Sequence, residues 1–286
     1  MKRISRRTFL GGGLAAGAAA LAGYSSLIET DDIRIQRIAI NLPRLPEAMD
    51  GLTIGLISDL HFYPYTGKRE IRHAINIVNH LQPDLVCMTG DFVTEGHYGD
   101  KRANARSIEP CSELLTQIRA PLGCYAVLGN HEYDTHPEFV AQTLRGHGIP
   151  VLQNQKMEVQ KNGSRIWIAG LDDALHERSD IAATLKGIPS GETVVLMAHE
   201  PDTADESARY PVDLQLSGHS HGGQVRIPGA GPPLLPPLGR KYPEGLYKVG
   251  RMALYTNRGI GVSGVPFRFD CPPEVTLLEL RRGGNA

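Results

Sequence analysis

Apolar residues in this chain gather into short unbroken runs, and five of the runs stop at Asp, Asn or His. TIGLIS (53–58) gives way to Asp59-Leu60-His61, DLVCMT (84–89) to Gly90-Asp91, and CYAVL (124–128) to Gly129-Asn130-His131. TVVLMA (193–198) ends at His199, and VDLQLS (212–217) at Gly218-His219-Ser220-His221. Runs of this length predict strands buried on both faces, as in parallel sheets, and ligand sites in α/β folds lie beyond the carboxyl ends of such strands. One Asp or His after a strand is explained by a turn or a helix cap. Five together predict a single crevice.

Between the runs the period changes. Lys68 to Gln82 places Ile71, Ala74, Ile75, Val78 and Leu81 at helical spacing, and Ser107–Arg119, Pro137–Arg145 and Ile181–Leu185 read as further helices. Strands are also expected at Ile33–Ile40, Val151–Leu152, Arg165–Ala169, Met252–Thr256 and Glu274–Leu280. The stretch from Pro228 to Pro243 packs prolines and glycines around Leu234, Leu235 and Leu238, which predicts a long loop. Because it starts near His221, it is a candidate substrate-side loop whose leucines suit a lipid.

Composition adds a leader. Lys2, Arg3, Arg6 and Arg7 precede any acid, and without them the chain has 26 basic and 31 acidic side chains, a net of −5. That balance excludes a nucleic-acid binder, which needs a basic face. Ser5-Arg6-Arg7-Thr8-Phe9-Leu10 and the Gly/Ala-rich run to Leu27 resemble a twin-arginine export signal. Residues 1–28 are therefore expected to be a signal or uncleaved anchor, read by the twin-arginine machinery, and 29–286 a single domain outside the cytoplasm, in the periplasm or on the membrane's outer face. The four cysteines have no CxxC spacing and read as core residues, with a disulfide open in an oxidising compartment.

Asp, His and Asn ligands without Cys suit divalent Mn, Fe or Zn. Seven ligands exceed one ion, whereas two ions sharing a carboxylate use them all, a recurrent arrangement for phosphate-ester hydrolysis. In extended backbone, Asp-x-His and His-x-His pairs point the same way.

Asp59-x-His61, Gly90-Asp91, Gly129-Asn130-His131-Glu132, His199 and Gly218-His219-x-His221 resemble, in order, the motifs of the calcineurin-like metallophosphoesterases, and the closing segment of the chain resembles an exported bacterial phosphodiesterase branch of that superfamily. The resemblance implies a four-layer αββα sandwich. It implies that Asp59, His61 and His221 hold one ion, Asn130, His199 and His219 the other, and that Asp91 bridges them. It also implies that His131 protonates the leaving oxygen. The Asp-Arg pair that follows the second motif in the protein phosphatase branch is absent, since Phe92-Val93-Thr94-Glu95 stands there. A protein phosphatase is thereby disfavoured, and Glu132 and Glu95 remain alternative partners for His131.

The expected substrate is a phosphodiester or pyrophosphate of the envelope, a lipid or a nucleotide sugar, UDP-2,3-diacylglucosamine included, with membrane-surface contact. The alternatives are a phosphomonoesterase and a catalytically silent metal-binding module. Gly218-His219-Ser220-His221-Gly222 imitates the serine-hydrolase elbow, but no helix pattern and no later His follows. Gly259–Gly264 imitates a dinucleotide fingerprint but runs into Pro266, so a turn is expected, with Arg258 solvated beside it. Of the remaining histidines, His97 and His176 are the two candidates for a pocket.

Overall fold

A computed structural model describes residues 23–95 and 104–283; the twin-arginine motif and His97 fall outside them. Strands β1 (Arg34–Leu42), β2 (Leu52–Ile57), β3 (Leu85–Met88), β4 (Cys124–Ala126) and β11 (Glu274–Arg282) form one sheet, ordered β1-β11-β2-β3-β4. Strands β5 (Gln155–Lys161), β6 (Ser164–Gly170), β7 (Val194–Met197), β8 (Leu214–Ser217), β9 (Gly245–Val249) and β10 (Met252–Thr256) form the other, ordered β5-β6-β7-β8-β10-β9. β2, β3 and β4 are mutually parallel, as are β6, β7, β8 and β10.

Alternation inside the apolar runs explains the layering. Ile54, Leu56, Leu85 and Cys87 meet Val195, Met197, Leu214 and Leu216 in a core between the sheets. Their neighbours Ile57, Val86 and Met88 turn outward to α1 (Lys68–Leu81), α2 (Ile108–Leu115) and α4 (Pro137–Gly146). On the far side, Val194 and Leu196 turn outward to α5 (Ile181–Leu185) and α6 (Ala204–Ser207). The result is a four-layer αββα sandwich with strands buried on both faces, which is why they read as unbroken apolar runs. Helix α1 buries Ile71, Ala74, Ile75 and Val78, and full burial of each larger side chain is worth about 1.5–3 kcal/mol. Among the described residues no helix is long and apolar enough to cross a membrane.

Two expectations change. Val151 makes only an isolated bridge to Ala126 and starts no strand. The four cysteines are free, so the open question of a disulfide closes against one in this structure.

Candidate metal centre

β2, β3 and β4 of one sheet and β7 and β8 of the other point their carboxyl ends at the same place. The loops beyond them carry Asp59 and His61, Asp91, Asn130 and His131, His199, and His219 and His221. Asp59, His61, Asp91, His219 and His221 all have left-handed backbone, with φ of 50°, 42°, 54°, 68° and 52°. The paired ligands therefore do not converge by extended-strand alternation as expected. Each loop is a tight turn that brings its ligands inward through conformations Asp and His tolerate better than most residues. The preceding glycines make room: a Cβ at Gly129 would collide with Asp91 and His199, and one at Gly218 with Ser58 and Asp59.

The ligand atoms fall into three overlapping groups, Asp59-His61-His221, His61-Asp91-His131 and Asp91-His199-His219. Asp91 Oδ2 lies 3.1 Å from His199 Nε2, 3.6 Å from His61 Nε2 and 3.9 Å from His131 Nε2. It thus stands between the first and last groups. His61 Nε2 and His221 Nε2 face each other at 3.0 Å, and His199 Nε2 and His219 Nδ1 at 3.2 Å. Ring nitrogens aimed at one another this closely need a shared proton or a cation. Asn130 Oδ1 is buried in the same cleft with no hydrogen-bond partner among the described residues. An orphaned amide oxygen beside imidazoles and carboxylates fits divalent metal binding.

Burial dominates the electrostatics. It holds His61 and His221 well below the ordinary imidazole range, helped by neighbouring His131 and His61 respectively, and lowers His219 to about 4. Those rings are neutral and can offer lone pairs. Burial also raises the Asp59 carboxyl to about 6. Asp91 feels the same burial, but the imidazoles of His199, His131 and His61 outweigh it and hold its carboxyl well below the usual range. Conversely, His199 overcomes its burial through Asp91 and stays well above the ordinary imidazole value.

Around this centre the supports differ from expectation. Neither carboxylate orients His131. Glu132, fully buried, accepts the backbone N–H groups of Asp91, Phe92, Val93 and Gly129, bracing two ligand loops. Glu95 reaches His131 with its own backbone N–H, donated to Nδ1 at 3.0 Å, which leaves the proton on Nε2. Arg258 is not solvated: it pairs with Glu274 at 2.7 Å. Ser220 donates to the Pro243 carbonyl and so is no free nucleophile. His176 binds Asp173 and stacks on Tyr133, away from the cleft lining. Gly259 and Gly261, the imitation fingerprint, let their loop press on Asp59 and Leu60.

One residue had no signal in the pattern. Arg268 is fully buried, donates to the carbonyls of Arg258, Gly261 and Cys271, and lies 3.4 Å from His221 Nδ1.

The family model for calcineurin-like phosphoesterases matches residues 52–223, a span that holds all seven metal-type ligands. The chain belongs to that family. It is thus a metallophosphoesterase, a phosphoric ester hydrolase with clustered His and Asp of the metal-binding kind. It is 35% identical to the uncharacterized metallophosphoesterase YkuE of Bacillus subtilis, over 98% of this chain and 99% of the relative. It is 30% identical to phosphodiesterase YaeI of Escherichia coli, over 97% and 99%. A more distant relative, at 27%, is the UDP-2,3-diacylglucosamine pyrophosphatase LpxG of Chlamydia trachomatis, over 89% and 91%. Among solved structures, a 5'-nucleotidase precursor of Thermus thermophilus aligns with TM-score 0.50 and 17% identity over 80% of this chain. The chain spans about half of that protein (54%), so the likeness concerns the fold alone.

Proposed function

We propose that this metallophosphoesterase is a dinuclear phosphodiesterase or pyrophosphatase for envelope phosphoesters that carry an apolar group. The observation behind this reading is that Asp91 stands between two ligand clusters on the floor of a cleft of about 470 Å³ whose wall includes Pro233, Leu234, Leu235, Pro236 and Val265. Asp59, His61 and His221 would hold one divalent ion, Asn130, His199 and His219 the other, and Asp91 both, with Mn, Fe or Zn suited to the donor set. Two such ions supply Lewis acidity toward phosphoryl oxygens and make water a competent nucleophile near neutral pH.

The chain's own groups do the rest. Asp59 and Asp91 are the only carboxylates in the ligand set, so a loaded site stays positive enough to attract an anionic ester despite the acidic body. Among the described residues no Arg or Lys lines the cleft to grip a terminal phosphate, which favours a diester over a monoester. His131 presents its Nε2–H to the cleft, 3.9 Å from Asp91 Oδ2, where it would serve the departing oxygen. The apolar wall would receive an acyl or other hydrocarbon portion. The phosphodiesterase activity named for YaeI and the pyrophosphatase activity named for LpxG support this class for the present chain.

Residues 1–28 are read as a twin-arginine leader that places the enzyme outside the cytoplasm, free or anchored. There phospholipids, cell-wall polymers and scavenged diesters are better placed to meet it than a cytoplasmic nucleotide sugar.

The test is to strip the protein of metal and compare bis-p-nitrophenyl phosphate with p-nitrophenyl phosphate as Mn, Fe or Zn is restored. Faster turnover of the diester, dependent on added metal, is expected. Activity indifferent to chelation, or a preference for the monoester, would overturn the reading. His131→Ala is expected to keep both ions and lose most turnover on poor leaving groups; loss of an ion would remove His131 from its role.

A further inference from the structure

We propose that the rim of the metal cleft is a membrane-docking face that seats the enzyme on a lipid bilayer with the cleft turned toward the lipid. Three loops with no charged side chain meet there: 62–67 (FYPYTG), 227–239 (IPGAGPPLLPPLG) and 259–267 (GIGVSGVPF). The turn around Ser263 is their common wall. On one side Leu27, Tyr65, Val262 and Pro266 line a recess whose outer edge carries the ion-paired Asp31, Arg69 and Glu70, and on the other Leu234, Leu235 and Val265 line the metal cleft.

The tips of these loops are exposed, with Leu234 at 81%, Tyr63 at 62%, Ile227 at 53%, Tyr65 at 52% and Val265 at 40%, and Leu27 of the N-terminal segment beside them is exposed at 74%. Among the described residues, the other exposed large apolar side chains outside the N-terminal segment sit singly: Ile35 on β1, Met157 on β5 and Leu246 on β9, each an edge strand. A contiguous apolar rim around a site marks a binding surface, whereas single exposed residues do not.

Three observations select a lipid surface as the occupant. First, the chain reaches this face through an uncharged stretch: Thr8 to Ile28 contains no charged residue, Ser25 O accepts the Arg268 N–H at 3.0 Å, and Leu27 enters the recess beside Tyr65. An apolar run that precedes the fold and enters it at the rim brings the rim to whatever that run inserts into. Second, Tyr63 and Tyr65 place amphipathic rings at the edge, the residue type that settles at headgroup depth, with exposed Lys68 next in sequence. Third, the face is built to stay in place. Buried Gln224 binds the carbonyls of Ser263 and Val265 and the N–H of Ser263, which fixes the turn that carries Val265. A preset apolar face loses little chain entropy on docking.

The experiment reads orientation, because the leader by itself could tether the protein without orienting it. Trp167 is the sole tryptophan, so the full chain carrying Trp167→Phe gives a silent background. Single tryptophans are then introduced by Tyr65→Trp, Leu234→Trp or, as the control on β5, Met157→Trp. All three positions are exposed, and Val265→Trp substitutes for either rim variant that fails to fold. Each protein is mixed with phosphatidylcholine–phosphatidylglycerol vesicles whose acyl chains carry bromine. Both rim tryptophans are expected to lose most of their emission while the control keeps its own. Equal quenching at rim and control, or none at the rim, would overturn the proposal. The readout does not use catalysis, so failure of the phosphodiesterase reading leaves it intact, and the converse holds.

Discussion

The imidazoles of His199 and His219 are locked from behind, and those of His61 and His221 are not. His199 Nδ1 donates to the Thr89 carbonyl at 2.6 Å and His219 Nε2 to the Pro237 carbonyl at 2.8 Å. Among the described residues His61 Nδ1 meets only the Thr94 hydroxyl at 3.4 Å, and His221 Nδ1 faces the Arg268 guanidinium. A carbonyl behind an imidazole fixes its tautomer and raises its basicity, whereas a cation opposes a metal ion. Under the proposed two-ion assignment the halves are unequal: the imidazoles of His199 and His219 are preset, and the half with Asp59, His61 and His221 is looser and expected to exchange first.

The widest break comes from the residue both halves share. Asp91→Asn is expected to lose turnover by more than the about 100-fold typical of an outer-shell change, together with metal from both halves, read by metal analysis. Retention of both ions would end the idea of a shared carboxylate. Next, Glu132→Gln turns an amide donor toward N–H groups that need an acceptor. It is expected to cost about 3 kcal/mol in denaturant unfolding and to loosen the preset half more than the other.

pH sharpens the contrast further. Burial raises Asp59 to about 6, so below that value a proton competes with the ion in the looser half, whose affinity should weaken about tenfold per unit. Above it that dependence levels off. His199 keeps its proton well above the ordinary range, so uptake by the preset half should still strengthen as pH rises. Calorimetry in buffers of different ionisation heat would measure the protons released by each ion. The smallest effect is expected from Arg268→Gln, which keeps a donor for the loop carbonyls but removes the charge, tightening the looser half about tenfold. If affinity falls in step with the melting temperature instead, Arg268 acts only by holding the loop.

The sequence made the interior legible and the margins less so. β2, β3, β7 and β8 are buried on both faces, and such strands announce themselves as apolar runs. β5 (QKMEVQK) and β9 (GLYKV) are edge strands with exposed positions, so the pattern alone did not reveal them. The short helix α3 (Asn130–Thr135) hides inside a ligand motif, although Glu132 three residues after Gly129 was a readable capping signal. The loops that carry the seven metal-type ligands reach one cleft, but the left-handed backbone at five of those positions carries no periodic trace. Arg268 shows the other limit: its importance lies in contacts with carbonyls and His221 that depend wholly on tertiary placement.

Left-handed backbone at five ligand positions also narrows the routes by which this site can decay. A first substitution there must satisfy a positive φ before any question of metal arises, and only Gly, Asn, Asp and His do so at small cost. A descendant that abandoned metal would thus be expected to pass through Asn or Gly at positions 59, 61, 91, 219 and 221, since Ala or Val would break the turns first. The loops would outlive the chemistry they were shaped for.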